Sequence, residues 1–173
     1  MTTTNTKSLN VLFLCTHNSA RSILAEALLN SLGNGRFKAY SAGSSPRENQ
    51  QPNPLGLQVL QHAGVSTDGL RSKSWDEFAT PDAPQMDLII TVCDDAAGEV
   101  CPIWPGHPAT AHWGYPDPSA GDAPDAEKLE AFRQTLHAIN RRLELLCSLP
   151  PEKLARLTLQ SSARQLAQDE QPA

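Results

Sequence analysis

The run Cys15-Thr16-His17-Asn18-Ser19-Ala20-Arg21-Ser22 constrains this chain more than any other feature. It follows the apolar stretch Val11-Leu12-Phe13-Leu14 and opens directly into Ile23-Leu24-Ala25-Glu26-Ala27-Leu28-Leu29. The order is buried strand, tight loop, helix, with a thiol at the strand end and a guanidinium at the helix start. A loop entering a helix directs several backbone N–H groups at one spot, and the aligned peptide dipoles make that spot attractive to an anion. A cysteine placed there has its pKa lowered and exists largely as thiolate. The Arg21 guanidinium adds a planar fork suited to gripping two oxygens of a tetrahedral anion. The pattern describes a nucleophilic thiolate aimed at a phosphate-like group; the plainer alternative is a buried strand-end cysteine with a surface arginine nearby. Ser22 is placed to donate its hydroxyl to the sulfur, a role compatible with an ordinary first-turn residue. Asn18 tolerates left-handed backbone and bonds within its own loop, so it is read as holding the loop's shape.

Strands and helices alternate along the rest of the chain. Strands are expected at residues 10–15, 37–42, 87–92 and 110–113, and helices at 22–32, 53–62, 74–79 and 124–147. Pro54 sits at a helix start, and Gly33 and Gly64 just past helix ends. In the longest helix Leu129, Phe132, Leu136, Ile139, Leu143 and Leu146 recur at three- and four-residue steps, which defines one apolar face. Strands separated by helices imply an α/β fold, a four-stranded parallel sheet with helices on both faces. Ligands of such sheets bind at the carboxyl ends of strands, where Cys15 lies. The expected organisation is a disordered N-terminus over residues 1–8, a catalytic domain over 9–149, and a C-terminal helix and tail over 150–173. The polar, Gly- and Pro-bearing segment 43–53 is placed to border the anion site.

Bulk properties exclude several classes. The net charge of −5 carries no basic cluster, which argues against nucleic acid as a partner. No apolar stretch approaches a membrane span, and residues 1–10 lack the apolar core of a signal peptide, so a cytoplasmic protein is expected. In that compartment the four cysteines are thiols, and any disulfide is transient.

A second thiol, Cys93, stands at the expected end of the third strand, and Cys101 follows eight residues later. In a parallel sheet the ends carrying Cys15 and Cys93 share one edge. Three readings stay open: a redox pair, two structural thiols, or zinc held with His107 and His112, although Cys-x7-Cys-x5-His-x4-His fits no tight knuckle. Were residues 93–101 one helix, the two α-carbons would lie about 12 Å apart. A disulfide needs roughly 4.4–6.8 Å, so that bond requires the segment to unwind. Gly98 and the acidic residues make such a helix marginal. Cys147, ending the long helix, is read as core packing. Trp75, Trp104 and Trp113 are likewise read as packing residues. Asp117, between Pro116 and Pro118, sits on a stiff loop after the fourth strand.

The Cys15–Arg21 loop resembles that of the low-molecular-weight protein tyrosine phosphatase family, and more closely that of the arsenate reductases built on the same fold. Thr16-x-Asn18-Ser19 is similar to the reductase version. Ala20 stands where the phosphatases usually carry a second cysteine, and His17 replaces a glycine common to both groups; His17 is read as a solvent-exposed loop residue rather than a cation near the thiolate. The resemblance runs over about residues 9–147. It implies that Thr16, His17, Asn18, Ser19, Ala20, Arg21 and Ser22 bind a small oxyanion, that Cys15 attacks it, and that Asp117 is the general acid. Ser119 replaces the aromatic residue that phosphatases usually carry after Asp-Pro, which favours a small inorganic anion over an aryl phosphate. The resemblance further implies a relay in which Cys93 attacks Cys15 and Cys101 resolves Cys93, with thioredoxin or glutathione and glutaredoxin as reductant. The paired thiols of the thioredoxin-coupled reductases are often one residue closer. Some relatives bind potassium through a glutamate and a serine that match Glu26 and Ser41; the full ligand set is not evident, so neither metal nor organic cofactor is expected. The expected function is arsenate reduction for detoxification. Its alternatives are phosphomonoester hydrolysis and a non-catalytic oxyanion-binding or redox-sensing module.

Overall fold

Leu9–Cys15 (β1) lies at the centre of a sheet because its side chains have apolar neighbours on both sides: Val11, Leu12, Phe13 and Leu14 are all 0% exposed. Such a strand reads as a continuous apolar run, the pattern of a parallel strand covered on both faces. The computed structural model of the chain describes residues 8–33, 35–92 and 109–150. Among them are α1 (Arg21–Leu32), β2 (Phe37–Gly43), α2 (Pro54–His62), a 3-10 turn (Trp75–Phe78), β3 (Leu88–Thr91), β4 (Ala109–His112) and α3 (Asp125–Cys147). The expected elements therefore form, with ends shifted by a residue or so and the short helix wound as a 3-10 turn. Ser8, grouped by sequence with the N-terminal tail, donates its hydroxyl to the Gly35 carbonyl. The expected C-terminal helix and tail, the rest of the N-terminus, Cys93, Cys101, Trp104 and His107 lie outside the described residues.

The sheet order is β2-β1-β3-β4, and every pairing is parallel. Cys15 pairs with Gly43, and Thr91 with His112, so the carboxyl ends of all four strands share one edge. Successive residues of β1 point to opposite faces. Val11, Phe13 and Cys15 meet α1, α2 and α3, whereas Leu12 and Leu14 meet Trp75, Phe78, Met86 and Ile89. Among the described residues, helical cover on both faces is thus three α-helices on one side and the 3-10 turn on the other. α3 packs across α1 and α2 through Phe132, Leu136, Ile139, Leu143 and Leu146. Leu129 is only partly buried against this core, and a residue that the apolar pattern omits, Arg142, is buried in the same face. Trp75 and Trp113 are core residues, as expected.

Candidate active site

β1 delivers Cys15 to the sheet edge and α1 begins six residues later, so the intervening loop must reverse direction within a few peptides. Asn18 makes the reversal: its φ is 56°, in the left-handed region that asparagine tolerates better than most residues. Its fully buried side chain then ties the loop together. Nδ2 donates to Ser22 Oγ at 2.8 Å, and Oδ1 accepts from the Lys73 backbone N–H at 2.9 Å. Ser22 Oγ in turn lies 2.9 Å from Cys15 Sγ. Both sequence readings of Asn18 and Ser22 thus meet in one chain of contacts that ends on the sulfur. Cys15 itself is 3% exposed.

The loop's carbonyls are drawn away from its interior. Cys15 O accepts from Ser44 N, Thr16 O from Ser45 N, Ser19 O from Asn53 N, and Asn18 O from the Ser72 hydroxyl. No described peptide is cis, so in each planar unit the following N–H points opposite to its carbonyl. The peptides of residues 16, 17, 19 and 20 accordingly turn their N–H groups toward the other side of the loop. This path needs a glycine beside it. A β-carbon on Gly43 would stand 2.7 Å from Thr16 O and 3.0 Å from Asn18 N. Among the described helices, α1 is also distinctive in starting with neither a side-chain cap nor an acidic residue in its first turn. Its N-terminal dipole is left unneutralised by the protein.

Arg21 opens α1, and its Nη1 donates to the Tyr115 carbonyl at 2.8 Å. Nη2 lies 3.9 Å from Asp117 Oδ2, and Nε is buried with no hydrogen-bond partner among the described residues. Asp117 Oδ1 accepts from both the backbone N–H and the hydroxyl of Ser119, at 2.9 and 2.7 Å, which fixes the carboxylate on its proline-bounded loop. Cys15, Arg21 and Asp117 line one cavity of about 710 Å³. Residues 47–54 also line it, so the 43–53 segment borders the site as the sequence suggested and brings Arg47 and Gln50 to it. His17 also lines the cavity and is half-buried rather than fully solvent-exposed. No phenylalanine, tyrosine or tryptophan among the described residues lines the cavity.

Behind the loop lies a largely buried ion pair that sequence reasoning missed. Lys73 Nζ donates to the carbonyls of Ser41 and Arg71, each at 2.8 Å, and stands 4.0 Å from Glu26 Oε1. Ser41 donates its hydroxyl to the same Glu26 oxygen. Burial pushes the Glu26 carboxyl above its ordinary value, against the smaller opposing pull of Ser41 and Lys73. Burial likewise pushes the Lys73 ammonium down, with Glu26 opposing. An internal ammonium therefore faces the two side chains compared above with a potassium site. Nothing in the spacing of Glu26, Ser41 and Lys73 announces their meeting; the packing of α1 on β2 and the bridge between Gly43 and Ser74 bring them together.

Of the remaining candidates, Cys93 and Cys101 lie outside the described residues, which end on that side at Val92. Val92 N donates to Leu14 O at 2.8 Å, so the chain reaches residue 92 beside the end of β1. His112 Nδ1 lies 2.7 Å from the Thr91 hydroxyl, and no cluster of three metal-ligating side chains occurs among the described residues. Cys147 is half-buried with its thiol pKa pushed up by burial, which favours the inert neutral thiol.

The family model described as low molecular weight phosphotyrosine protein phosphatase matches residues 10–160. A Bacillus subtilis (strain 168) protein named arsenate reductase is 33% identical over 134 residues, spanning 78% of this chain and 91% of its own length. An arsenate reductase structure from Archaeoglobus fulgidus DSM 4304 aligns with a TM-score of 0.61 at 29% identity, covering 80% of this chain and 99% of that one. A Corynebacterium glutamicum thioredoxin-dependent arsenate reductase aligns with a TM-score of 0.54 at 26% identity, covering 82% and 64% of the respective chains.

Proposed function

The chain belongs to the low molecular weight phosphotyrosine protein phosphatase family, and we propose that its site reduces arsenate to arsenite. The observation that carries this reading is the cavity: a strand-end sulfur 2.9 Å from a serine hydroxyl, lined by Arg21 and Asp117, with no phenylalanine, tyrosine or tryptophan among the described residues to stack an aryl ester. Relatives named arsenate reductase add their support.

Arsenate sits in the loop of residues 16–20, on the side to which the N–H groups turn, with the Arg21 fork on two of its oxygens. The Cys15 thiolate attacks arsenic; Ser22 donates to the sulfur and, with the helix dipole, favours its ionised form. Asp117 protonates the departing oxygen, which leaves as water. Cys93 then attacks Cys15. The S–As bond breaks with its electron pair going to arsenic, so As(V) becomes As(III) while two thiolate sulfurs become the Cys15–Cys93 disulfide. Cys101 attacks Cys93, frees Cys15 and leaves a Cys93–Cys101 disulfide for an external dithiol. The position of Val92 beside β1 supports the first exchange, since the next residue in the chain is Cys93. Thioredoxin is the proposed donor, with glutathione and glutaredoxin the competing couple.

Arsenate-dependent NADPH oxidation separates these donors. Turnover is expected with thioredoxin and its reductase; turnover with glutathione and glutaredoxin alone would reassign the donor. Cys93→Ser is expected to lose arsenate turnover yet keep hydrolysis of p-nitrophenyl phosphate, because only reduction needs a second sulfur. Survival of both activities would make Cys93 structural.

A further inference from the structure

The core face of α3 contains a charge that core packing does not call for. Arg142 follows Ile139 and precedes Leu143 and Leu146 on that face, and is only 6% exposed. Its Nη1 is buried with no hydrogen-bond partner among the described residues. A buried charge costs free energy unless it is paired, and replacing it with an apolar side chain of similar volume is often neutral or stabilising. What Arg142 does touch is aromatic: its guanidinium carbon lies 5.0 Å from the Tyr115 ring centroid and 5.9 Å from that of Trp113. Cation–π attraction operates at these distances and strengthens when the pair is desolvated.

The segment so held is the one that leads into the anion site. Trp113 N donates to Thr91 O and Tyr115 N to Val92 O, which attach it to the end of β3. The Tyr115 carbonyl accepts the hydrogen bond that orients Arg21, and two residues further on Asp117 enters the cavity. We propose that Arg142 is a positioning residue: by stacking on Tyr115 and Trp113 it fixes the backbone that aims the Arg21 fork and the Asp117 carboxylate. A rigid support for a binding group matters because displacement of about 1 Å can cost a hundredfold in rate. The arginine thereby acts on the oxyanion from the far side of Tyr115, without touching it.

This inference rests on the reading of Arg21 as the holder of the oxyanion, and inorganic phosphate provides a probe that involves no redox step. Phosphate affinity, measured by calorimetry on the full chain, is expected to fall about tenfold in Arg142→Met, a loss on the scale of one desolvated cation–π contact. The thermal midpoint is expected to stay level or rise, and KM for arsenate to rise more than kcat falls. Arg142→Lys, which keeps the cation, is expected to recover part of the affinity. Tyr115→Leu in the presence of Arg142 is expected to weaken phosphate binding too, with the double substitution adding little to either single one. Should Arg142→Met fail to fold, the Lys variant and Tyr115→Leu still decide: unchanged phosphate affinity in both would overturn the inference. Wild-type affinity in a folded Arg142→Met would overturn it directly. No phosphate binding by the wild type would instead overturn the reading of the Arg21 site.

Discussion

At the scale of single residues, the site depends on what is missing from Gly43 as much as on what Cys15 carries. Gly43 pairs with Cys15 across β1 and β2, and its absent β-carbon is what lets the Thr16–Asn18 backbone pass. Gly43→Ala puts a methyl 2.7 Å from Thr16 O, a contact that only backbone movement relieves. The N–H groups proposed to hold the oxyanion then lose their alignment. The expected result is a fall in kcat/KM for arsenate of roughly a hundredfold, the scale seen when a single preorganised oxyanion donor is lost. Near-normal turnover would mean that the loop's path does not depend on this approach. Cys15, Asn18, Arg21 and Ser22 were legible because the loop is contiguous in sequence. Gly43 and Lys73 were not, because they enter only through a neighbouring strand and the segment beyond it. Arg142 was hidden differently: the spacing of α3 marks an apolar face, and the pattern does not tell whether a long basic side chain lies on its rim or inside it.

At the scale of elements, β1 and α1 supply the sulfur and the dipole, and Val92 at the end of β3 lies beside the end of β1. Expected strand and helix positions held because each apolar run or stripe has a period and punctuation of its own, as with Asn53, whose side chain accepts from Leu55 N, and Pro54 at the start of α2. Tertiary setting, by contrast, decides that residues 75–78 wind as a 3-10 turn: Trp75 and Phe78 are both drawn down onto Leu12 and Leu14. Wild-type protein treated with arsenate and no reductant is expected to accumulate the Cys93–Cys101 disulfide, whereas Cys101→Ser stops at Cys15–Cys93. Peptide mapping after alkylation reads both. A free Cys101 thiol in the oxidised wild type would remove it from the relay.

At the scale of the whole molecule, the Glu26–Lys73 pair links the α1 side of the core to stability. Glu26 has its pKa raised in the fold, so at pH values above its unfolded range the ionised carboxylate is held at a cost, and stability from this group declines as pH rises through the folded value. Lys73, lowered in the fold, contributes in the opposite sense: its protonated form is held at a cost, which is relieved as pH rises from its folded value toward its unfolded one. Removing one partner leaves the other buried alone. Lys73→Met is therefore expected to destabilise the protein by about 3 kcal/mol near neutral pH. The deficit should shrink between neutral pH and pH 5, because loss of the cation adds to the upward push that burial already exerts on Glu26, and acid favours its neutral form. Urea titrations of both proteins at the two pH values test this; a deficit that stays constant or grows on acidification would show that Lys73 stabilises by packing alone.

The central claim is that this cavity transfers electrons to its oxyanion rather than hydrolysing it. A single-turnover titration addresses it most directly: fully reduced protein is mixed with arsenate in the absence of any reductant, and arsenite and free thiols are counted together. One arsenite per chain and a fall from the four thiols of the sequence to two are expected, with neither change in Cys15→Ser. Unchanged thiols and no arsenite, in protein that still hydrolyses p-nitrophenyl phosphate, would contradict it.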